Sequence, residues 1–140
     1  MKISSKTQYA ILAMIHLAMK YDAGRPVTAG EIARSQDLPL KFLTQIMLVL
    51  QKAGLVTALR GKDGGYLLGR LPSKISLGDI VRAVDGPVLR SVPVSKSQTA
   101  ALLSGVWKEI GEYFERRLDS VDLYTISEKA QGLNAPMFYI

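Results

Sequence analysis

Residues 28–69 read TAGEIARSQDLPLKFLTQIMLVLQKAGLVTALRGKDGGYLLG, and this stretch decides the fold. Thr28 and Glu31 have the spacing of a capping box, which predicts a short helix over Ala29–Ser35 with Glu31 reaching back to Thr28. The following Asp37-Leu38-Pro39 predicts a tight turn, and its proline suits the first turn of another helix. A helix, a tight turn and a second helix together predict a helix-turn-helix unit.

The second helix of that unit is expected over Leu40–Ala53, with Gly54 as its C-terminal cap. Its apolar residues recur at helical spacing and predict a buried stripe: Leu43, Ile46, Met47 and Leu50. The opposite face carries Lys41, Thr44, Gln45, Leu48, Gln51 and Lys52. Leu48 is the one apolar side chain of that face, so an exposed leucine is expected there.

A β-hairpin is predicted directly after this helix. Leu55–Arg60 has the composition of a strand, and Tyr66–Gly69 can form its return strand. The intervening Gly61–Gly65 contains the glycines that a turn with positive φ requires. Helices followed by such a hairpin predict a mainly α winged helix-turn-helix fold, in which the hairpin is the wing.

Two further helices flank the helix-turn-helix and its wing. One is expected over about residues 5–21 and is apolar on most faces, which predicts that it is largely buried. The other is opened by the capping-box pattern of Ser76–Asp79 and ends at Gly86. Residues 1–86 are therefore predicted to form the winged helix-turn-helix domain.

The C-terminal part is predicted to pair two copies of the chain. Residues 87–97 are expected to form an irregular loop, and a long helix follows over about residues 98–118. One stripe of that helix has the spacing of a coiled-coil seam and predicts a homodimer through Leu103, Trp107, Ile110, Phe114 and Leu118. Ser120 is expected to cap a last short helix over about residues 121–129. Residues 98–140 thus hold the dimerisation helix, the short helix and a tail.

The net charge of +6 is unevenly distributed along the chain. Residues 1–90 contain thirteen lysines and arginines against six acidic residues, a net charge of +7. Residues 91–140 contain five basic and six acidic residues, a net charge of −1. A positive field confined to one half of the molecule attracts polyanions such as nucleic acid.

Several functional classes are excluded by what the chain lacks. It contains no cysteine, which excludes disulfides, thiolate metal sites and cysteine nucleophiles. Its single histidine, His16, is expected to be a packing or partly exposed residue of the first helix, since a lone imidazole has no partners for metal or triad chemistry. No apolar run reaches the roughly 18 residues of a membrane span, and no secretory signal is recognised. The chain is therefore expected to be cytoplasmic, with no metal, no membrane partner and no enzymatic activity.

The positive half and the helix-turn-helix together predict binding to double-stranded DNA. The second helix of such a unit lies in the major groove, where side chains near its N-terminus reach base edges. Here those side chains are Lys41, Thr44 and Gln45. An arginine inserted into a narrow, negative minor groove senses DNA shape, and the tip of the wing offers Arg60, Gly61 and Lys62. The phosphates are expected to be contacted at helix starts, by Ser5, Lys6, Tyr9 and Thr28.

Several motifs, in this order, resemble the Rrf2 family of bacterial transcription regulators. The chain opens with Met1-Lys2-Ile3-Ser4-Ser5-Lys6-Thr7-Gln8-Tyr9-Ala10, and Ala53-Gly54-Leu55-Val56 precedes the wing. The wing sequence Arg60-Gly61-Lys62-Asp63-Gly64-Gly65-Tyr66-Leu67-Leu68-Gly69 carries the most information, and Ile75–Gly86 fits as well. Each piece is modest alone, whereas their joint order over residues 1–86 is highly specific.

The resemblance implies a dimeric regulator, expected to be a repressor, whose long helices cross and present two winged heads to a palindromic site. It also implies base contacts by Lys41, Thr44 and Gln45, and insertion of Arg60. Several members carry an acidic residue where Thr44 stands, so their DNA sequence preference does not transfer. Cluster-binding members have three cysteines in the loop that corresponds to residues 89–98 and beyond. This chain has none, so neither an iron–sulfur cluster nor thiol-based sensing is expected.

The ending Met137-Phe138-Tyr139-Ile140 is similar to that of the cysteine-metabolism regulators within this family. The resemblance implies a role in cysteine or sulfur metabolism and a cysteine synthase as partner, because that enzyme accepts a terminal isoleucine carboxylate in its active site. A carboxylate behind an apolar tail suits such docking. The alternative, a tail that only packs on its own dimer, stays open.

A protein-interaction module without DNA binding is the alternative function, because winged helices also serve as protein-binding folds. The two differ in salt dependence, since DNA binding weakens steeply as salt rises. An enzyme is a remote third possibility, because no set of nucleophile, base and orienting group is found. The Gly61–Gly65 turn also lacks the lysine-serine ending of a nucleotide-binding loop.

Overall fold

The computed structural model describes residues 2–134, in which six helices and a two-stranded antiparallel sheet are formed. In chain order the elements are α1 Ser5–Met19, α2 Ala29–Gln36, α3 Leu40–Lys52, β1 Val56–Leu59, β2 Gly65–Leu68, α4 Leu77–Val84, α5 Gln98–Asp119 and α6 Leu123–Asn134. The predicted mainly α winged helix-turn-helix with a long C-terminal helix is confirmed. Residues 88–97 are irregular, as expected.

Helix α1 is the centre of the core, and α2, α3, α4 and α6 all pack against it. It begins after Ser4, whose hydroxyl oxygen accepts a hydrogen bond from the Thr7 N–H at 3.1 Å. Ala10, Ala13 and Met14 are fully buried along its inner side. Small side chains at two of these positions allow neighbouring helices to approach α1 closely.

Helix α2 begins as the capping pattern predicts, but its acidic residue has a different partner. The Thr28 hydroxyl oxygen accepts a hydrogen bond from the Glu31 N–H at 3.1 Å. The Glu31 carboxylate lies 3.1 Å from Nε2 of His16, so the prediction that it reaches back to Thr28 is wrong. The other imidazole nitrogen is 3.0 Å from the Ser35 hydroxyl. His16 is buried, the first of the two outcomes expected for it, and joins α1 to both turns of α2.

Helix α3 buries the predicted stripe and leaves the predicted polar face open. Leu43, Ile46, Met47 and Leu50 are all at most 1 % exposed. The helix ends at Lys52, and Gly54 follows with a φ of 76°, a left-handed conformation that glycine adopts without steric cost. The predicted end of α3 is therefore confirmed to within one residue.

The wing is the hairpin of β1 and β2, paired from Val56↔Leu68 to Leu59↔Gly65. Val27 extends this sheet through two backbone hydrogen bonds with Tyr66, of 3.0 and 2.8 Å. Gly65 has a φ of 150°, and a Cβ there would lie only 2.7 Å from the Val27 carbonyl oxygen. Glycine is thus required where the wing meets the segment that enters α2.

Helix α4 opens with the predicted capping box. The Ser76 hydroxyl oxygen accepts a hydrogen bond from the Asp79 N–H, and the Asp79 carboxylate accepts one from the Ser76 N–H, both at 3.0 Å. Arg82 then joins α4 to α5, since its guanidinium lies 2.6 Å from Glu115 and 2.7 Å from Asp119. These contacts raise the pKa of Arg82, with the hydrogen bond to Asp119 the largest cause. The long helix is therefore tied to the winged part by an ion-pair cluster.

The start of the last helix corrects one prediction. Ser120 ends α5 instead of capping α6, because its hydroxyl donates to the Arg117 carbonyl oxygen at 2.6 Å. Asp122 caps α6 by accepting a hydrogen bond from the Thr125 N–H at 2.8 Å. Helix α6 then packs on α1, where Leu123 is 0 % exposed within the core. Gln131 adds a hydrogen bond of 3.0 Å to the Met19 carbonyl oxygen.

Candidate nucleic-acid interface

The start of α1 and the middle of α3 border one open cleft. Its volume is about 410 Å³, and it is lined by Ser5, Lys6, Tyr9, Phe42, Gln45 and Ile46. Four of these residues were predicted from the sequence to contact DNA, on two separate segments. The structure brings Ser5, Lys6 and Tyr9 together with Gln45.

The outer face of α3, formed by Lys41, Thr44, Gln45 and Leu48, points away from the buried stripe. All four side chains are exposed. The Thr44 hydroxyl donates a hydrogen bond of 2.9 Å to the Lys41 carbonyl oxygen. Lys41 and Gln45 supply a cation and an amide, the groups that pair with guanine and adenine edges in the major groove.

The N-terminus of α3 has no side-chain cap within the described chain, because the residue before it is Pro39. The backbone N–H groups of the first turn are therefore left for other acceptors. An uncapped helix start carries partial positive charge and favours an approaching anion such as a phosphate. The feature agrees with a surface that approaches the DNA backbone.

Asp85, at the end of α4, holds the start of α1 in position. Its Oδ2 accepts hydrogen bonds from the hydroxyls of Ser4 at 2.5 Å and of Thr7 at 2.6 Å. These two hydrogen bonds, Ser4 first, lower the pKa of the Asp85 carboxyl. Arg90 in the following loop also donates to the Asp85 carbonyl oxygen. Ser5 and Lys6 are thus presented from a fixed helix start.

The wing places its predicted residues at an open turn. Arg60, Gly61 and Lys62 are all exposed between β1 and β2. Gly61 has a φ of 105°, and its carbonyl oxygen accepts a hydrogen bond from the Gly64 N–H at 3.0 Å, which closes the turn. The cations of Arg60 and Lys62 are therefore carried on a short, closed tip that is compatible with a groove.

Thr28 lies at the start of α2 and is exposed. Its oxygen accepts the hydrogen bond from Glu31, which leaves the hydroxyl hydrogen free to be donated to a phosphate. The pKa of Glu31 is lowered, chiefly by its hydrogen bond with His16, so this carboxylate stays ionised. The contact with His16 holds the negatively charged Glu31 carboxylate beside α1.

The stripe predicted for dimerisation lies on an open side of α5. No residue of α5 is buried in a single copy of the chain. Leu103, Trp107, Ile110 and Phe114 are exposed, and Leu118 is half-buried. A cleft of about 500 Å³ lies beside this stripe, between α5 and the loop that contains Pro87, Leu89 and Ser91.

Two residues that form or support the cleft between α1 and α3 are not predicted from the sequence. Phe42 is 54 % exposed and lines the cleft, but an aromatic residue in an apolar helix is usually assigned to the core. Asp85 has partners that are 81 and 78 residues away along the chain, which no local pattern reveals.

The tail Met137–Ile140, predicted to bind a partner, lies outside the described residues. Within residues 2–134, none of the helices combines the length and apolar character of a membrane span.

Comparison with known proteins identifies a family. The Rrf2 family, described as "Iron-dependent Transcriptional regulator", matches residues 3–129. The HTH-type transcriptional regulator CymR of Bacillus subtilis is 38 % identical over 141 residues, covering all of both chains. The regulator IscR of Escherichia coli is 33 % identical over 131 residues, covering 88 % of this chain and 78 % of its own.

Solved structures agree with this assignment. The solved structure of CymR (YrzC), the global cysteine regulator of B. subtilis, has a TM-score of 0.79 at 33 % identity, covering 92 % of this chain and 98 % of its own. A structure of T. potens IscR has a TM-score of 0.77 at 34 % identity, covering 99 % and 95 %.

The iron named in the family description does not fit the residues of this chain. The sequence has no cysteine for an iron–sulfur cluster. Residues 2–134 contain no group of three or more histidine, aspartate and glutamate side chains able to hold a metal ion. The only histidine is buried between Glu31 and Ser35. With a matching fold, a full-length relative and the family's motifs, the chain belongs to the Rrf2 family of helix-turn-helix transcriptional regulators.

Proposed function

We propose that this chain is a sequence-specific repressor that binds a palindromic operator as a homodimer, without an iron–sulfur cluster. The observation that carries the proposal is the cleft between α1 and α3. It places Lys6, a phosphate-binding cation, beside Gln45, an amide able to contact bases. A groove-binding helix needs such neighbours, because phosphate contacts set its register while base contacts provide specificity.

Each predicted residue has a role in this proposal. The outer face of α3 enters the major groove and contacts base edges through Lys41, Thr44 and Gln45. Arg60 enters the adjacent minor groove, where the open glycine turn lets the wing approach closely, and Lys62 contacts the backbone. Ser5, Lys6, Tyr9 and Thr28 bind phosphates.

The proposed dimer forms through α5. An exposed stripe of four large apolar side chains on a 22-residue helix is a surface that a second identical helix can cover. A two-fold dimer repeats one recognition surface, so its operator is expected to be a palindrome. The Arg82 cluster then fixes the direction in which each head leaves the paired helices.

We further propose that the regulated genes serve cysteine or sulfur metabolism. The support is the full-length similarity to CymR, together with the ending Met137–Ile140, which is similar to that of the cysteine-metabolism regulators. A cysteine synthase is the proposed partner of this tail. Titrating the synthase with the whole chain and with a chain lacking Ile140 tests the idea. Equal affinities would contradict it.

The deciding experiment is selection of bound fragments from genomic DNA by the purified protein. A palindrome shared by the selected fragments is expected. Binding to that operator should weaken steeply with salt, because each neutralised phosphate releases counterions. Lys6→Ala is expected to weaken all sequences about equally, whereas Gln45→Ala should relax the preference at one base pair. No enrichment and a flat salt response would favour the protein-interaction module.

A further inference from the structure

The outer face of α3 has an apolar side chain at its centre. Leu48 is 52 % exposed, one helical turn beyond Thr44 and three residues beyond Gln45. The buried stripe of α3 lies on the opposite side of the helix. A single exposed leucine is ordinary on a protein surface, but this one lies among the side chains proposed to meet bases.

Thr44, like Leu48, offers an apolar group on this face, namely its methyl group. Its hydroxyl hydrogen is already donated to the Lys41 carbonyl oxygen at 2.9 Å. In this arrangement Thr44 cannot donate to an acceptor on a base, and the groups left for DNA are its methyl group and an oxygen lone pair. In the major groove the one apolar group that a base pair presents is the 5-methyl group of thymine.

The direction of the helix brings the two side chains together. Cα–Cβ bonds in a helix tilt towards its N-terminus, so residues at i and i+4 cover one face. Leu48 therefore leans over Thr44, towards the end of α3 that enters the groove. The charged and amide groups of Lys41 and Gln45 border this pair on the same face.

We propose that Leu48 and Thr44 form a specificity pair that binds the 5-methyl group of a thymine in each operator half-site. The inference rests on the proposed function, because it requires α3 to occupy the major groove. It assigns Leu48 to the base-contacting set, and it assigns the methyl group of Thr44, not its hydroxyl, to recognition.

Replacing thymine by deoxyuracil in the selected operator tests the pair. The substitution removes only the methyl group and leaves every hydrogen-bonding group of the base pair in place. Burial of one methyl group is worth about fourfold in affinity, so replacement at both symmetric positions should weaken binding about 15-fold. The effect is expected at one pair of positions, found by replacing the thymines one symmetric pair at a time.

Four variants assign that effect to side chains. Leu48→Ala is expected to bind the thymine operator about tenfold more weakly and to lose most of the preference for thymine over uracil. Thr44→Val should keep the preference because it keeps a methyl group, whereas Thr44→Ser should reduce it. Leu71→Ala, another exposed leucine outside α3, is the matched control and should bind both duplexes as the unaltered protein does.

Two results would overturn the assignment while leaving DNA binding intact. One is equal binding of thymine and uracil operators at every position. The other is an undiminished thymine preference in Leu48→Ala. Failure of the unaltered protein to bind any duplex at low salt would overturn the proposed function as well, so the two failures are distinguishable. Because Leu48 is exposed, its replacement is not expected to disturb folding, which circular dichroism checks.

Discussion

Asp85 shows how one partly buried contact can hold an exposed surface in position. Its carboxylate fixes Ser4 and Thr7, and the next two residues after Ser4 are proposed to bind phosphates. Asp85 itself is not among the residues proposed to contact phosphates, and its own charge would repel DNA. The residue therefore acts by positioning, and its loss should be visible in stability before any DNA is added.

Asp85→Asn is expected to lower the free energy of unfolding by about 1–3 kcal/mol at pH 7, because the amide accepts these hydrogen bonds less well than a carboxylate. The pKa of Asp85 is lowered in the folded chain, so its contribution is complete above the ordinary value of 3.8. The contribution is lost as pH falls through the folded value. Urea unfolding at pH 7 and at pH 3 measures both effects.

The control for this variant is Asp22→Asn, an exposed aspartate in the turn after α1. Its effect should stay within about 0.5 kcal/mol at both pH values. If Asp85→Asn were as stable as the unaltered protein at pH 7, the positioning role would be wrong.

At the scale of elements, α4 lies between the start of α1, which is proposed to contact DNA, and the long helix. Asp85 at its end contacts α1, and Arg82 contacts Glu115 and Asp119 on α5. One eight-residue helix therefore contacts both the start of α1 and the long helix α5. The wing has a comparable junction beside Gly65, where the next residue, Tyr66, pairs with Val27.

Arg82→Met should loosen α5 from α4 while keeping most of the side-chain volume. We expect a loss of about 1–2 kcal/mol in the free energy of unfolding, since the cluster is partly open to solvent. Operator affinity should fall up to about tenfold, because a less well-oriented second head binds at a lower effective concentration. Thermal unfolding and DNA titration are the measurements. Lys129→Met on α6 removes one positive charge as well and should leave both quantities nearly unchanged.

Gly65→Ala is expected to displace the wing from Val27, because the new Cβ would meet the Val27 carbonyl oxygen at 2.7 Å. A loss of at least about 1 kcal/mol in stability should accompany faster hydrogen exchange of the Tyr66 N–H, measured by NMR. Gly132→Ala is the control, since nothing lies within 4 Å of a Cβ there and the site is helical. That change should stabilise α6 by about 0.5–1 kcal/mol. Unaltered exchange at Tyr66 in Gly65→Ala would refute the expectation.

Local patterns predict α3 well because its buried stripe, the turn that precedes it and its glycine end are all encoded within the eighteen residues 37–54. Local patterns do not predict the partner of the Glu31 carboxylate. Thr28, three residues earlier, competes for that carboxylate with His16, which lies fifteen residues earlier. Ser120 and Asp122 are both good helix caps. The choice between them depends on where α5 ends and on Leu123 entering the core, and packing decides both. The cleft forms only when α1 and α3 lie side by side. The sequence therefore predicts its residues one at a time, but it does not predict that residues of the two helices lie next to each other.

At the scale of the whole molecule, the proposed dimer depends on one helix. Ile110→Glu places a charge in the middle of the α5 stripe, where burial against a second helix would leave it unpaired. We expect sedimentation to show a monomer and operator affinity to fall at least about 100-fold, since both heads no longer bind as one unit. Glu109→Gln, the adjacent position, should remain dimeric. A dimeric Ile110→Glu protein would show that the subunits pair elsewhere.

The return of α6 to α1 has a consequence for how the protein is made. Leu123 fills a place in the core that the first hundred residues leave vacant, and Gln131 reaches back to Met19. On the ribosome, the N-terminal segment therefore emerges well before its hydrophobic interior can close. A nascent chain should gain its operator-binding competence only after Leu123 and the rest of α6 have emerged, when the helix proposed to pair with another copy has also been synthesised.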